Sequence, residues 1–385
     1  MNLIALKMLF GDRSKYIGIV MGVMFASLVI TQQLAIFVGL MSRTYGFLTD
    51  TPIADIWVMD PKVQFIDDIK PLQDTQLYRI RGIQGVSWAM PLYKGQLRTR
   101  LPNGNFQTCN VIGLDDNTLI GGPPEMIEGE LSDLRKADGV IVDQVGANGK
   151  LAKPAQKPGE SPVPLKVGDT IELNDHRGVV VGIAKVSRTF QSQPVIYTTY
   201  NRATAFAPRE RKLLSFIMVK AKDGQNIREL SDRISATGLK ALTHEEFINV
   251  TIDYFLVNTG IPINFAIAVI LGFIVGTAVA GQTFYNFTLD NMKYFGALKA
   301  MGARNGLLLR MIILQSLVVG LVGYGLGVGI ASTFYFVSKT SELAFKLPWQ
   351  LLIISAGAVT FICIFAAILS MRKIVALEPA VVFRS

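Results

Sequence analysis

Four long stretches of this chain are almost entirely apolar. These stretches cover residues 16–41, 262–288, 307–337 and 347–371. A helix needs about 20 apolar residues to cross the hydrocarbon core of a bilayer, and each run is long enough to do so. The pattern therefore predicts an α-helical membrane protein with four transmembrane helices.

The segment between the first two runs, residues 42–261, has a different pattern. Residues 72–83 and 226–237 are typical of helices, and Thr243 and Glu246 have the spacing of a capping box at a helix start. Strand-like runs occupy residues 54–59, 107–113, 139–143, 178–186, 194–198 and 215–220, and residues 153–164 form a proline- and lysine-rich loop. We therefore expect a mixed α/β domain inserted between spans 1 and 2, with a stalk where its helices meet the membrane.

Basic residues precede the first apolar run, as they do in a secretory signal peptide. The run is too long for the apolar region of a signal peptide, and no small-x-small cleavage site follows it. We therefore expect the first span to remain in the protein as a membrane anchor.

Charge predicts the side of the membrane on which each segment lies. Lys and Arg number 38 against 29 Asp and Glu, a net charge of +9. Segments 1–15, 289–306 and 372–385, together with Arg310, hold ten basic and three acidic residues, whereas residues 42–261 hold 26 and 25. Because basic residues favour the cytoplasmic side, we expect both termini inside, and residues 42–261 and the loop 338–346 outside. A nucleic-acid-binding protein would instead concentrate positive charge on its soluble domain, so no nucleic acid is expected.

Catalytic and metal-binding motifs are not recognisable in the sequence. The chain has two histidines, and its two cysteines lie far apart in the sequence, so neither a metal site nor a disulfide framework is expected. The carboxylate pairs Asp67–Asp68 and Asp115–Asp116 are typical of solvated turns. A Walker A loop needs a lysine that reaches the phosphates of ATP, but the nearest match, residues 276–283, has glutamine in that place and lies in an apolar span. We therefore expect no enzyme activity, no metal and no ATP site in this chain.

Small and polar residues recur inside the spans. Four glycine pairs have the four-residue spacing that lets helices approach closely in lipid, namely Gly18 with Gly22, Gly272 with Gly276, Gly323 with Gly327 and Gly325 with Gly329. Gln32 and Gln33 place amides in or near the hydrocarbon, where such groups need hydrogen-bonding partners. Packing within one chain and contact with a second copy both explain these features.

The segment between the second and third spans is short, basic and amphipathic. Its apolar residues recur at helical spacing among basic ones, and the positions are Phe295, Leu298 and Met301 with Lys293, Lys299 and Arg304. A cytoplasmic amphipathic helix between two spans either rests on the lipid or inserts into a soluble partner. The residues alone leave both roles open.

Residues 293–304, KYFGALKAMGAR, resemble the coupling segment of the FtsX/MacB-like ABC permease family. The family's common glutamate is Tyr294 here, which removes an acidic contact. The order of one span, a large outside domain and three further spans is also similar. Further resemblances are LEPAV at 377–381 to the family's closing sequence, VGDTI at 167–171 with GVVVGI at 178–183 to its outside domain, and IADIWVMD at 53–60 to its DevC-type branch.

The resemblance implies a permease subunit of an ABC transporter in the bacterial inner membrane. It implies two partners besides membrane lipid: a second copy of the permease, and a cytoplasmic ABC ATPase subunit that binds ATP and Mg. The three apolar positions of the coupling segment would fill a groove in the ATPase, and the three basic positions would pair with acidic groups on its rim. The DevC-type branch implies a periplasmic adaptor protein and an outer-membrane channel.

Three functions compete at this point. The permease exports an apolar or amphiphilic substrate or lipid, it regulates a periplasmic or cell-wall partner mechanically without transport, or it is a sensor with no ATPase. A sensor has no need of a coupling segment, so the first two remain. The resemblance to the DevC-type branch favours export.

Overall fold

The computed structural model describes residues 2–155, 161–208, 214–340 and 342–375 of the 385-residue chain. The chain divides into two compact units. The first contains Met1–Leu40 and Gly260–Ser385, and the second is Met41–Thr259. The second unit is the domain that the sequence predicts between spans 1 and 2, whereas the closing sequence 377–381 lies outside the described residues.

Four helices of the first unit are long and apolar enough to cross a membrane. They are α2 (Arg13–Thr44), α9 (Ile261–Asp290), α11 (Asn305–Thr340) and α12 (Trp349–Val375), and each overlaps one predicted span. A short apolar helix, α1 (Asn2–Gly11), precedes α2 and is not predicted by the sequence pattern. Pro262 lies in the first turn of α9, where proline is tolerated because the backbone N–H groups there have no helical partner.

Glycines let α9 lie directly on α2. A Cβ atom on Gly276 would lie 2.3 Å from the Cβ of Ala26, and one on Gly272 would lie 2.8 Å from Val29. In lipid, helices are held together by such close van der Waals contact, because apolar surface gains little by leaving lipid tails. The stretch 276–283, the nearest match to a Walker A loop, is therefore part of a packed helix.

The second unit is built on one ten-stranded mixed sheet. Its strands are β1 (Ile56–Met59), β2 (Val86–Arg100), β3 (Phe106–Leu114), β4 (Glu125–Glu128), β5 (Gly139–Asp143), β6 (Thr170–Leu173), β7 (His176–Lys185), β8 (Val195–Thr199), β9 (Phe216–Ala221) and β10 (Lys240–Thr243). The order is β10-β1-β9-β2-β3-β8-β5-β7-β4, and β6 pairs with β2 and β7. The β3–β8 and β5–β7 pairs are parallel, and the other pairs are antiparallel.

Helices cover both faces of this sheet. They are α3 (Gly46–Asp50), α4 (Thr75–Arg81), α5 (Gln144–Asn148), α6 (Tyr200–Phe206), α7 (Ile227–Ser235) and α8 (His244–Asn258). Successive strand residues point to opposite faces. On β1, Trp57 therefore packs against Phe47 of α3 and Phe247 of α8, whereas Ile56 and Val58 join the core that contains α4 and α7.

Most of the predicted elements of this domain are present. The six predicted strands correspond to β1, β3, β5, β7, β8 and β9, and the capping box is confirmed, since Thr243 Oγ1 accepts from Glu246 N at 3.2 Å. The long strand β2 is missed, because its Pro91, Lys94 and Gly95 interrupt the apolar pattern. Asp67 lies in an exposed turn, as the sequence predicts, and its carboxylate also forms an ion pair with Lys94, whose side chain is buried.

Candidate functional site

The segment between α9 and α11 forms a separate helix, α10 (Met292–Ala300). It ends in a Schellman motif, because Gly302 N donates to Lys299 O and Ala303 N donates to Leu298 O, both at 3.0 Å. This motif needs a residue with positive φ, and Gly302 has φ 93°. The sequence Ala-Met-Gly-Ala therefore ends α10 at a fixed place and turns the chain into α11.

The two large apolar side chains in the middle of α10 are buried within the same chain. Phe295 is fully buried and Leu298 is 7% exposed. Their cluster contains residues of three other helices: Ala5 of α1, Leu308, Met311 and Ile312 of α11, and Ala367 and Met371 of α12. Burying each side chain contributes about 1.5–3 kcal/mol. Phe295 and Leu298 therefore anchor α10 to its own protein in this structure, and their contact with a groove in an ATPase stays a prediction.

The other side of the segment is available to a partner. Met301 is 76% exposed and Tyr294 is 62% exposed. Lys293 and Arg304 are also exposed, and Lys299 is half-buried. The segment therefore offers two large, partly apolar side chains beside three cations, and the contact of these residues with an ATPase stays a prediction.

Polar contacts tie the end of α9 to α2, and α11 to α1. Lys15 near the start of α2 forms ion pairs with Asp290 at 2.8 Å and with Asp12 at 2.9 Å. Gln315 of α11 donates from Nε2 to the carbonyl oxygen of Ala5 at 2.7 Å, and this bond is buried. Exposed ion pairs contribute little, about 0–1 kcal/mol, whereas the buried hydrogen bond contributes about 1 kcal/mol and fixes α1 on α11.

The glycine pairs of α11 separate into two roles. A Cβ atom on Gly323 would lie 2.8 Å from Val23 Cγ1, and one on Gly327 would lie 2.6 Å from Ser27 Cβ, so this pair packs on α2. Among the described residues, nothing lies within 4 Å of a Cβ atom on Gly325 or Gly329. The first pair is therefore an internal packing surface, and the second faces away from the chain.

Polar groups in the middle of α2 lack partners within the described part of the chain. Gln32 and Gln33 are half-buried, and neither amide forms a hydrogen bond to a described residue. The Oγ1 atom of Thr31 beside them is buried and also without a partner. Within the described residues, therefore, no hydrogen bond between helices accounts for these amides.

In the second unit, the loop 186–194 contacts three helices. They are the end of α2, the short helix α3 that follows it, and α8, which precedes the second span. Ser187 donates to Asp50 of α3 from both N and Oγ at 2.7 Å, and Arg43 of α2 donates to Ser192 Oγ at 2.9 Å. The ring of Phe190 lies 4.9 Å from that of Phe255 on α8. Sequence reasoning misses this loop, and its one signal is a large aromatic residue among polar neighbours.

Comparison with known proteins gives two family matches that together cover most of the chain. Residues 16–237 match the MacB-like periplasmic core domain, and residues 265–379 match the FtsX-like permease C-terminal region. An uncharacterised ABC transporter permease of Methanocaldococcus jannaschii is 29% identical over 201 residues, 49% of this chain and 50% of that protein. One of Mycobacterium tuberculosis is 22% identical over 315 residues, 81% of this chain and 79% of that protein.

Solved structures give weaker similarities. The periplasmic region of MacB from Actinobacillus actinomycetemcomitans is 16% identical with a TM-score of 0.36, and covers 55% of this chain and 98% of its own. The extracellular domain of the noncanonic ABC-type transporter YknZ from Gram-positive bacteria is 10% identical with a TM-score of 0.34, and covers 49% and 98%. The assignment rests on the sequence matches, since one of them spans more than half of the chain: this protein belongs to the FtsX/MacB-like family of ABC transporter permeases.

Proposed function

We propose that this permease transmits the motion of a separate cytoplasmic ABC ATPase, which binds ATP and Mg, to its extracytoplasmic domain, and thereby exports an apolar or amphiphilic substrate or lipid. It acts in the bacterial inner membrane with both termini in the cytoplasm, as a pair of copies. Its resemblance to the DevC-type branch adds a periplasmic adaptor protein and an outer-membrane channel as partners. The observation that carries this proposal is the two-sided construction of α10.

The buried side of α10 fixes this helix rigidly to its neighbouring helices. Phe295 and Leu298 are held among α1, α11 and α12, and truncating a buried phenylalanine costs about 3–5 kcal/mol. A push on the exposed side therefore moves these helices with α10 rather than bending the segment. The ion pair from Lys15 to Asp290 adds a contact with the start of α2.

The exposed side has the chemistry of an ATPase contact. Tyr294 and Met301 supply large adaptable surfaces of the kind enriched at interface centres, and exposed Lys293 and Arg304 supply charges for an acidic rim. Because Phe295 and Leu298 are buried within the chain, Tyr294 lies at the centre of the proposed contact.

In the second unit, the loop 186–194 supports the transmission of motion. It holds Asp50 through Ser187 and Phe255 through Phe190, so the helices that enter and leave this domain share one contact element. Motion of either helix is therefore expected to reach the sheet through β7 and β8, which flank the loop.

A second copy has a surface on which to dock. Gly325 and Gly329 face outward from α11, and the amides of Gln32 and Gln33 have no partner among the described residues. Unpaired amides in hydrocarbon are costly, so a neighbouring helix that supplies hydrogen bonds is favoured.

The test replaces exposed residues of α10, because a change such as Leu298→Asp would disrupt the fold. The double variant Tyr294→Glu with Met301→Glu should weaken co-purification of the ATPase at least tenfold, since a lost interface anchor costs about 2 kcal/mol or more. Tyr78→Glu is the matched control, because Tyr78 is an exposed tyrosine on a short helix of the second unit, 69% exposed against 62% for Tyr294.

Unchanged ATPase association in the double variant, with the variant folded, would contradict the coupling role of α10. Mass spectrometry of the partners purified from native membrane then separates the functions. An ATPase with a periplasmic adaptor supports export, whereas an ATPase with a cell-wall enzyme and no transported substrate supports mechanical regulation.

A further inference from the structure

A groove lies between residues 61–70 and the last turns of α8, within the second unit. It is an open depression in the surface of this unit, with a volume of about 960 Å³. The ring of Phe65 stacks on that of Tyr254 with centroids 4.3 Å apart, and it meets Phe255 edge-on at 5.3 Å. Because these rings hold residues 61–70 against α8, the groove is a formed feature of the fold.

Cations predominate in the groove. Lys62, Lys70 and Lys240 line it, against Asp68 and Asp253. Lys70 is neutralised by Asp68 at 2.7 Å. The Lys240 ammonium donates to Val63 O at 2.8 Å and is half-buried, and no described carboxylate forms an ion pair with it or with Lys62. The lining therefore carries three ammonium groups against two carboxylates, and Asp68 acts on both Lys70 and Lys240. This excess of positive charge, with Lys240 partly withdrawn from water, favours an anionic ligand.

The groove also has an apolar edge. Val257, which lines it, is 79% exposed, and the adjacent Leu256 is 41% exposed. A soluble anion such as inorganic phosphate gains nothing from these side chains. A ligand that carries both a negative charge and a hydrocarbon chain satisfies the lysines and the edge together.

The chain itself brings such ligands within reach. Val257 precedes Ile261, the first residue of α9, by four residues, and four residues extend at most about 14 Å. The polar headgroup layer on each side of a bilayer is roughly 5–8 Å thick. Tyrosine is enriched at this level of membrane proteins because its ring has an apolar body and a polar end, and Tyr254 stands at this end of α8.

We propose that this groove binds the headgroup of an anionic membrane phospholipid, with Lys62 and Lys240 on the phosphate and Val257 on the first part of an acyl chain. The site is separate from the ATPase contact and does not depend on it. It fixes the end of α8 on the lipid surface next to the span that α8 precedes.

The experiment uses the full-length protein in nanodiscs of phosphatidylcholine with increasing phosphatidylglycerol, and native mass spectrometry to count retained phosphatidylglycerol. The double variant Lys62→Gln with Lys240→Gln keeps hydrogen-bonding side chains but removes both charges. Each lysine near an anionic surface strengthens lipid binding about fivefold, so removing two charges should lower phosphatidylglycerol retention about 25-fold. High salt screens these charges, so the difference from the wild-type protein should be smaller there. Lys166→Gln with Lys222→Gln removes the same charge from exposed positions outside the groove and should change retention little.

Equal retention by both double variants would overturn the proposal. A second variant, Val257→Ser, separates a lipid from a free anion, because it should weaken phosphatidylglycerol retention and leave binding of inorganic phosphate unchanged. If inorganic phosphate displaces the lipid completely and Val257→Ser has no effect, the site recognises phosphate alone, and the lipid assignment is wrong. Thermal unfolding of each variant shows that the fold is retained.

Discussion

Gly327 offers the sharpest test of how the membrane helices pack. Replacing it by alanine would place a Cβ atom 2.6 Å from Ser27 Cβ and 2.7 Å from the carbonyl oxygen of Met24. Ordinary contact begins at 3.4 Å, so the new atom is at least 0.7 Å too close to both. The Met24 oxygen belongs to the backbone of α2 and cannot rotate away, so α11 must shift as a whole.

The magnitude follows from two opposing terms. Forcing an extra carbon atom into a packed contact costs about 1–3 kcal/mol. Alanine is better than glycine in a helix by about 1 kcal/mol, which offsets part of this cost. Gly329→Ala gains the same helix term without the clash, because nothing described lies within 4 Å of its Cβ position. The difference between the two variants therefore isolates the packing cost, about 1–3 kcal/mol.

The assay is thermal unfolding of the full-length protein in detergent micelles, followed by size-exclusion chromatography of the surviving fraction. Gly327→Ala should unfold several degrees below Gly329→Ala, since 1 kcal/mol corresponds to about 2–4 °C for a unit of 150–250 residues. Gly327→Leu and Gly329→Leu should widen the gap. If the two alanine variants unfold at the same temperature, α11 does not pack on α2 through Gly327, and the assignment of internal and outward glycines fails.

Two further predictions concern the second unit. Burial lowers the pKa of His244 below 6.5, and Trp57 Nε1 donates to its Nδ1 at 3.3 Å, a bond that protonation of Nδ1 abolishes. Below a pH of about 6.5 the unfolded chain therefore binds more protons than the folded chain. The free energy of unfolding should decrease as the pH is lowered through that range. His244→Gln should flatten this slope in urea unfolding, whereas exposed His176→Gln should leave it intact. Asp143, 7% exposed, accepts from Gly146 N at 2.7 Å and Val195 N at 2.6 Å, so Asp143→Ala should cost about 2–4 kcal/mol by leaving buried donors unpaired, and a loss below about 1 kcal/mol would contradict this account.

Much of the candidate site can be predicted from the sequence, because the features that define it depend on residues close together in the chain. Four apolar runs of sufficient length define the spans by composition alone. The Thr243–Glu246 capping box and the glycine that ends α10 act through hydrogen bonds between residues a few positions apart. Such features depend on no distant partner, so they can be recognised before any fold is known.

Which side of each element meets which neighbour was decided only by tertiary structure. The spacing of Phe295, Leu298 and Met301 places them along one helical stripe, yet the first two are buried and the third is 76% exposed. The glycine pairs of α11 have the same spacing, but only Gly323 and Gly327 face α2. An apolar side chain is stabilised equally by its own chain and by a partner, since hydrophobic burial has no direction. The sequence therefore determines that these positions are apolar or small, and the packing of distant helices determines whether they hold the fold or face outward.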